Sequence, residues 1–170
     1  MRASLSIALC GLASAPALAA DLDLKLQIPQ LDVAEYHRPY VAVWLERPDQ
    51  SVAANLAVWY EFKKRDGEGE KYLKDLRQWW RRSGRELQMP VDGISSATRA
   101  AGEYELAFSS AQPPLAGLPA GDYQLVVEAA RESGGREMLK IPFTWPVAKP
   151  ASLQAQGTSE LGTVSLALKP

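Results

Sequence analysis

Residue types able to do chemistry are sparse in this chain, and their densest run is Asp92-Gly93-Ile94-Ser95-Ser96-Ala97-Thr98-Arg99. Three hydroxyls fall within four positions, with an acid before them and a guanidinium after. Ile94 is the only bulky apolar residue and proline is absent, so the run reads as an exposed, hydroxyl-bearing loop. Such a loop offers attachment points more readily than a nucleophile. His37 is the only histidine, and no Gly-x-Ser-x-Gly elbow exists to complete a Ser-His-Asp hydrolase. Within His37-Arg38-Pro39-Tyr40, a lone imidazole near a strand start reads as a hydrogen-bonding or surface residue. Cys10 is the only cysteine, and there is no Cys-x-x-Cys-His. Thiolate or imidazole sites for zinc, copper or haem are therefore poorly supported. A redox role needs a cofactor held by neither residue type.

The elements around that loop are mostly strands. Leu22 to Ile28 alternates apolar and polar, as a half-buried strand does. Tyr40 to Leu45 is apolar on both faces and predicts a central strand covered on both sides. Arg47-Pro48-Asp49-Gln50 turns the chain into Val52 to Phe62, where Ala54, Leu56, Val58 and Tyr60 recur at period two. Tyr72, Leu73, Leu76, Trp79 and Trp80 then recur at helical spacing and predict one helix over Lys71 to Arg82, stopped by Gly84. Neighbours on a helix point about 100° apart, so of Trp79 and Trp80 one is core and the other partly exposed. Gly102 to Phe108 is the next strand, with Tyr104, Leu106 and Phe108 facing one way. Pro119-x-Gly121-x-Tyr123 leads into a strand over Gln124 to Ala129 and resembles the late strands of immunoglobulin-like and fibronectin-like domains. The partner strand Arg136 to Trp145 tolerates Pro142 only at an edge or bulge. Residues 146–158 read as a polar linker to a last strand over Glu160 to Leu168. About eight strands and one inserted helix, near residues 71–82, argue a mainly β fold, an immunoglobulin-like or fibronectin-like β-sandwich.

Residues 1–19 read as a secretory signal: Arg2, a short apolar run over Leu5 to Leu12, and Ala17-Leu18-Ala19 as a small-x-small cleavage site. Cleavage near Ala19 leaves 151 residues, one domain over 20–170, without cysteine. Charge is uneven along it. Lys63 to Arg99 holds ten basic and six acidic residues, whereas the whole chain has 19 against 20. Such a segment is either a solvated face or a surface for an acidic or phosphate-bearing partner. No nucleic-acid module is recognisable.

Asp92, Ser95, Ala97 and Thr98 resemble the acceptor motif Asp-x-x-Ser/Thr-Gly-Ala-Thr, on whose last threonine a flavin transferase esterifies FMN. Ser96 stands where that motif has Gly, whose backbone adopts positive φ more readily. The resemblance implies covalent FMN on Thr98, with Asp92, Ser95, Ser96 and Ala97 as recognition positions and Arg99 beside the phosphoester. By proximity in sequence, Trp79, Trp80 or Tyr104 would cover the ring, and Arg81, Arg82 or Arg85 would lie near the phosphate. More widely, Tyr40 to Trp44, Lys71 to Leu73, Trp79 to Arg82, Val91 to Gly102 and Gly121 to Glu132 look like a domain-of-unknown-function family of predicted periplasmic bacterial proteins. That family is similar in gene context to PepSY-type membrane proteins and flavin transferases. The resemblance thus implies a periplasmic flavoprotein that exchanges electrons with a PepSY-type membrane redox protein, an electron carrier rather than a turnover enzyme. The alternative is a non-redox β-sandwich module that binds a periplasmic protein or ligand.

Overall fold

Strand β2 (Tyr40–Glu46) is buried at every position, and the rest of the molecule is arranged on its two faces. The computed structural model describes residues 20–170, so the secretory signal expected over 1–19 lies outside the described residues. The described residues form two sheets. The first has the order β5-β1-β9-β8, built from β1 (Asp21–Ile28), β5 (Gly102–Ser109), β8 (Ala151–Gln156) and β9 (Thr163–Lys169). The second has the order β4-β3-β2-β6-β7, adding β3 (Val52–Trp59), β4 (Ser95–Ser96), β6 (Gly121–Ala130) and β7 (Arg136–Trp145). All pairs are antiparallel except β3 with β4.

One apolar core fills the space between the sheets. Leu22, Leu24, Leu26 and Ile28 of β1 meet Val41, Val43 and Leu45 of β2 and Leu125, Val127 and Ala129 of β6. Period-two alternation alone dictates this, because successive side chains of a strand point to opposite faces. The other face of β2 carries Tyr40, Ala42 and Trp44 into a second cluster with Leu73, Leu76, Trp79 and Ile94. Both faces of β2 are thus covered, as its continuous apolar run requires.

Three elements depart from the sequence reading. The helix expected over Lys71 to Arg82 is two pieces: a kinked 3-10 segment, Arg65–Asp75, and a short α1, Arg77–Arg82. Leu76, at φ −74° and ψ 69°, separates them, and the backbone N–H groups of Gln78 and Trp79 turn onto the buried Glu128 carboxylate. Trp79 is fully buried and Trp80 only half-buried, as the 100° rule requires. In β3, the pairing with β2 slips twice, after Val43 and after Leu45. These bulges send Leu56 into the inter-sheet core and Val58 and Tyr60 to the other face, so the expected single face splits. Lastly, the linker expected over 146–158 contains β8, whose Ala151, Leu153 and Ala155 face the core at an edge. Small and polar residues hid that alternation. Pro142 does sit on an edge strand, since β7 closes the second sheet.

The turn into β9 is held by one side chain. Glu137 accepts backbone N–H bonds from Thr158, Ser159 and Leu161 at 2.7–3.0 Å. Partial burial pushes its carboxyl up, but the three N–H donors outweigh that and bring it down to about 2. A depressed folded pKa contributes stability above the unfolded value of 4.5, lost as pH falls toward about 2. At full strength the shift is worth about 3 kcal/mol, and solvent screening of a partly exposed group reduces that. We expect Glu137→Gln to lower Tm at pH 7 and to narrow the gap to the parent progressively between pH 4.5 and 2. A gap independent of pH over that window in a thermal-melt series would overturn the assignment.

Candidate functional site

Sheet register brings the hydroxyl-bearing run next to the start of β2. Val41 pairs with Trp59, and Trp59 pairs in turn with Ser96. Residues 40, 60 and 97 therefore form neighbouring rows, and Thr98 follows at the end. The run is not the open loop expected. Asp92 and Gly93 form an exposed turn, with Gly93 at φ +79° where a glycine is favoured. Ile94 is buried as an anchor, and Ser95 and Ser96 form β4. Val58 donates to the Ile94 carbonyl at 2.7 Å and Tyr60 to that of Ser96 at 3.0 Å. The Ser95 hydroxyl accepts from the Val91 N–H at 2.9 Å, which closes the turn. Ser96 is not among the positive-φ residues, so here its position asks for no glycine. Ala97 is exposed beyond the pairing.

Thr98 lines a cleft of about 290 Å³. Its other walls are Tyr36, Tyr40 and Tyr72, the cationic side chain of Arg38 with His37, and the carboxylates of Glu61, Asp75 and Glu132. Small-molecule sites run roughly 300–1,000 Å³, so the space suits one planar ring system rather than a whole nucleotide. Among the described residues the Thr98 hydroxyl makes no hydrogen bond. Tyr40 donates to the Gly69 carbonyl at 3.0 Å and stands edge-on to Tyr60 at 6.3 Å. Burial drives the Tyr40 phenol well above its ordinary value, so it stays a donor. The Tyr36 hydroxyl is buried without a partner among the described residues, and burial raises its pKa too. A buried donor without an acceptor is costly. His37 contacts Glu35 at 3.0 Å and Glu132 at 3.8 Å.

Several residues expected near Thr98 serve elsewhere. Arg99 turns away and stacks on Trp59 at 4.1 Å and on Tyr104 at 4.9 Å, where a guanidinium gains from two ring faces. Tyr104 is thereby on the side of the first sheet, since it pairs with Leu26. Trp79 is sealed in the second cluster, its indole N–H donating to Asn55 at 2.8 Å. Trp80 lines a different trough with Arg81. Arg82 bonds Gln50 and approaches Glu46 at 4.0 Å, and Arg85 faces Glu86. None of these lines the Thr98 cleft. The tyrosines and Arg38 take their place. Part of that signal was readable, because His37-Arg38-Pro39-Tyr40 stood out as a run; what joins it to Thr98 is the order of three strands.

Among the described residues no group of three His, Cys, Asp or Glu is placed to hold a metal ion. No helix among them is long and apolar enough to cross a membrane. A family model described as "Predicted periplasmic protein (DUF2271)" matches residues 21–163. No curated protein and no solved structure matches the chain.

Proposed function

We propose a function from the premise that this chain belongs to the DUF2271 family of predicted periplasmic proteins: it carries FMN esterified to Thr98 and passes electrons to or from a membrane redox partner. The observation that carries the reading is that Thr98, the acceptor position of the motif it resembles, lies on the wall of a cleft lined by three tyrosines, with its hydroxyl unengaged among the described residues. In the attachment step the Thr98 Oγ1 bonds to the phosphorus of an activated FMN donor. It loses its proton, and the donor's leaving group departs from the same phosphorus. A flavin transferase supplies that donor.

The residues present fit the group. Tyr36, Tyr40 and Tyr72 line a ring-sized space and offer it aromatic walls. Arg38 offsets the phosphoester charge. When bound, the isoalloxazine supplies the electron transfer. Glu61, Asp75 and Glu132 disfavour added negative charge beside it and so act to lower its potential. Covalent attachment suits an exported protein, because a lost flavin outside the cytoplasm is not easily replaced. The electron partner in this reading is a PepSY-type membrane protein. The two-sheet body belongs to the same reading as an immunoglobulin-like sandwich, supported by the Tyr123 hydroxyl donating to the Pro119 carbonyl at 2.7 Å, the contact of a tyrosine corner.

A second reading has its own observation. Three carboxylates and three tyrosines on one cleft also suit a cationic ligand, held by ring faces and charge. The intact mass of the exported protein, from cells with and without a flavin transferase, decides between them. A gain of one FMN less one water, only with the transferase, supports the flavoprotein. An unmodified mass in both hosts leaves the non-redox binding module.

A further inference from the structure

Three of the ten cations of residues 63–99 line one hollow on the outer side of the second sheet, joined there by Arg136. A trough of about 630 Å³ is walled by Lys74, Arg77, Arg81 and Arg136, with Trp80 and Met138 among its lining. Lys74 ends the 3-10 segment, Arg77 and Arg81 stand one turn apart on α1, and Arg136 opens β7. Among the described residues no carboxylate lines the trough. Lys74, Arg77 and Arg81 belong to no ion pair among the described residues. Arg136 gives one nitrogen to Glu128 at 2.8 Å and keeps 41% of its side chain exposed. Trp80 is half-buried, with its ring centroid 6.4 Å from that of Trp79. The indole is therefore a fixed surface for an apolar group, set among charges that repel one another.

We propose that this trough docks an acidic segment of a partner protein, a stretch in which carboxylates flank an apolar residue seated on Trp80 and Met138. Charge complementarity selects the sign: four cations on an otherwise acidic chain raise the local concentration of an anionic partner and speed its encounter. Shape selects a chain over a lipid surface. A half-buried tryptophan in a concave wall has no reach into a bilayer, whereas an extended segment enters the hollow. Arg77 and Arg136 also line a neighbouring hollow, which shares Tyr72, Asp75 and Glu132 with the Thr98 cleft. A docked segment thus lies alongside that cleft. Docking itself does not depend on flavin, so the test uses the unmodified protein and its failure leaves the flavin reading untouched.

The probe is a fluorescently labelled peptide of the pattern Asp-Glu-Leu-Glu-Asp, titrated with the exported protein and followed by anisotropy. A peptide with lysine at the acidic positions and vesicles of phosphatidylglycerol run in parallel. We expect saturable binding of the acidic peptide only, weakened by salt as screening predicts. Arg77→Glu with Arg81→Glu reduces affinity by at least about tenfold, and Lys74→Glu by less, since each reversal replaces attraction with repulsion. All three positions are exposed, so an unchanged Tm confirms that the variants fold. Equal binding of both peptides, affinity unmoved by the reversals, or binding of the vesicles without the peptide would each overturn the proposal.

Discussion

Thr98→Ala leaves the protein unmodified in cells whose flavin transferase loads the parent chain. It is the largest effect expected of any single substitution, because an ester needs the oxygen that alanine lacks. The readout is intact mass, supported by covalent flavin fluorescence after denaturation. Neighbouring hydroxyls do not compensate in this expectation. The Ser95 hydroxyl is occupied by the Val91 N–H, and Ser96 sits within the β3–β4 pairing. Trp80→Ala retains the flavin, because Trp80 lines the basic trough and not the cleft. Ser96→Gly raises the loaded fraction, since glycine weakens the short pairing that a transferase must loosen to reach Thr98. Modification that persists in Thr98→Ala would move the ester to a serine and empty the cleft argument of its content.

What the sequence makes legible follows from period and hydropathy. Leu22 to Ile28, Tyr40 to Leu45 and Gly102 to Phe108 announce their strands because one or both faces must be dry. The split helix is not legible, because its break depends on Glu128, about fifty positions away, which takes the N–H groups that an unbroken helix would use. The bulges of β3 are hidden for a similar reason: a slip in pairing is a property of two strands, and Leu56 alone carries no sign of it. The buried acids Glu46, Glu128 and Glu160 read as surface residues until their partners appear. Glu46 accepts from the Trp44 indole at 3.1 Å and from Lys140 at 2.7 Å, and Glu160 takes a two-bonded clamp from Arg131. Thr98 was marked by local motif, but its tyrosine neighbours come from strand order, and the aromatic residues nearest in sequence do not line the cleft.

Glu128→Ala carries the second large effect, on stability. The carboxylate is wholly buried and accepts from the Gln78 N–H at 3.1 Å, the Trp79 N–H at 2.8 Å and the Arg136 guanidinium at 2.8 Å. Removing it orphans two donors at the start of α1, of which that of Trp79 is buried, and each unsatisfied buried donor costs about 1–3 kcal/mol. The vacated space adds a cavity cost. Two orphaned donors and the cavity together predict a loss of about 3–5 kcal/mol. For a domain of this size that lowers Tm on the order of 10 °C. Glu128→Gln keeps one carbonyl acceptor and is milder. Arg136→Ala is milder still, because Arg136 is 41% exposed and the carboxylate keeps both backbone donors. That ordering separates a cap from an ion pair. Were the ion pair dominant, Arg136→Ala would cost as much as Glu128→Ala, and denaturant melts of the three variants would show it. If the ordering holds, Glu128 fixes where α1 begins, and through α1 it fixes the positions of Arg77 and Arg81 on the trough and of Trp79 behind β2.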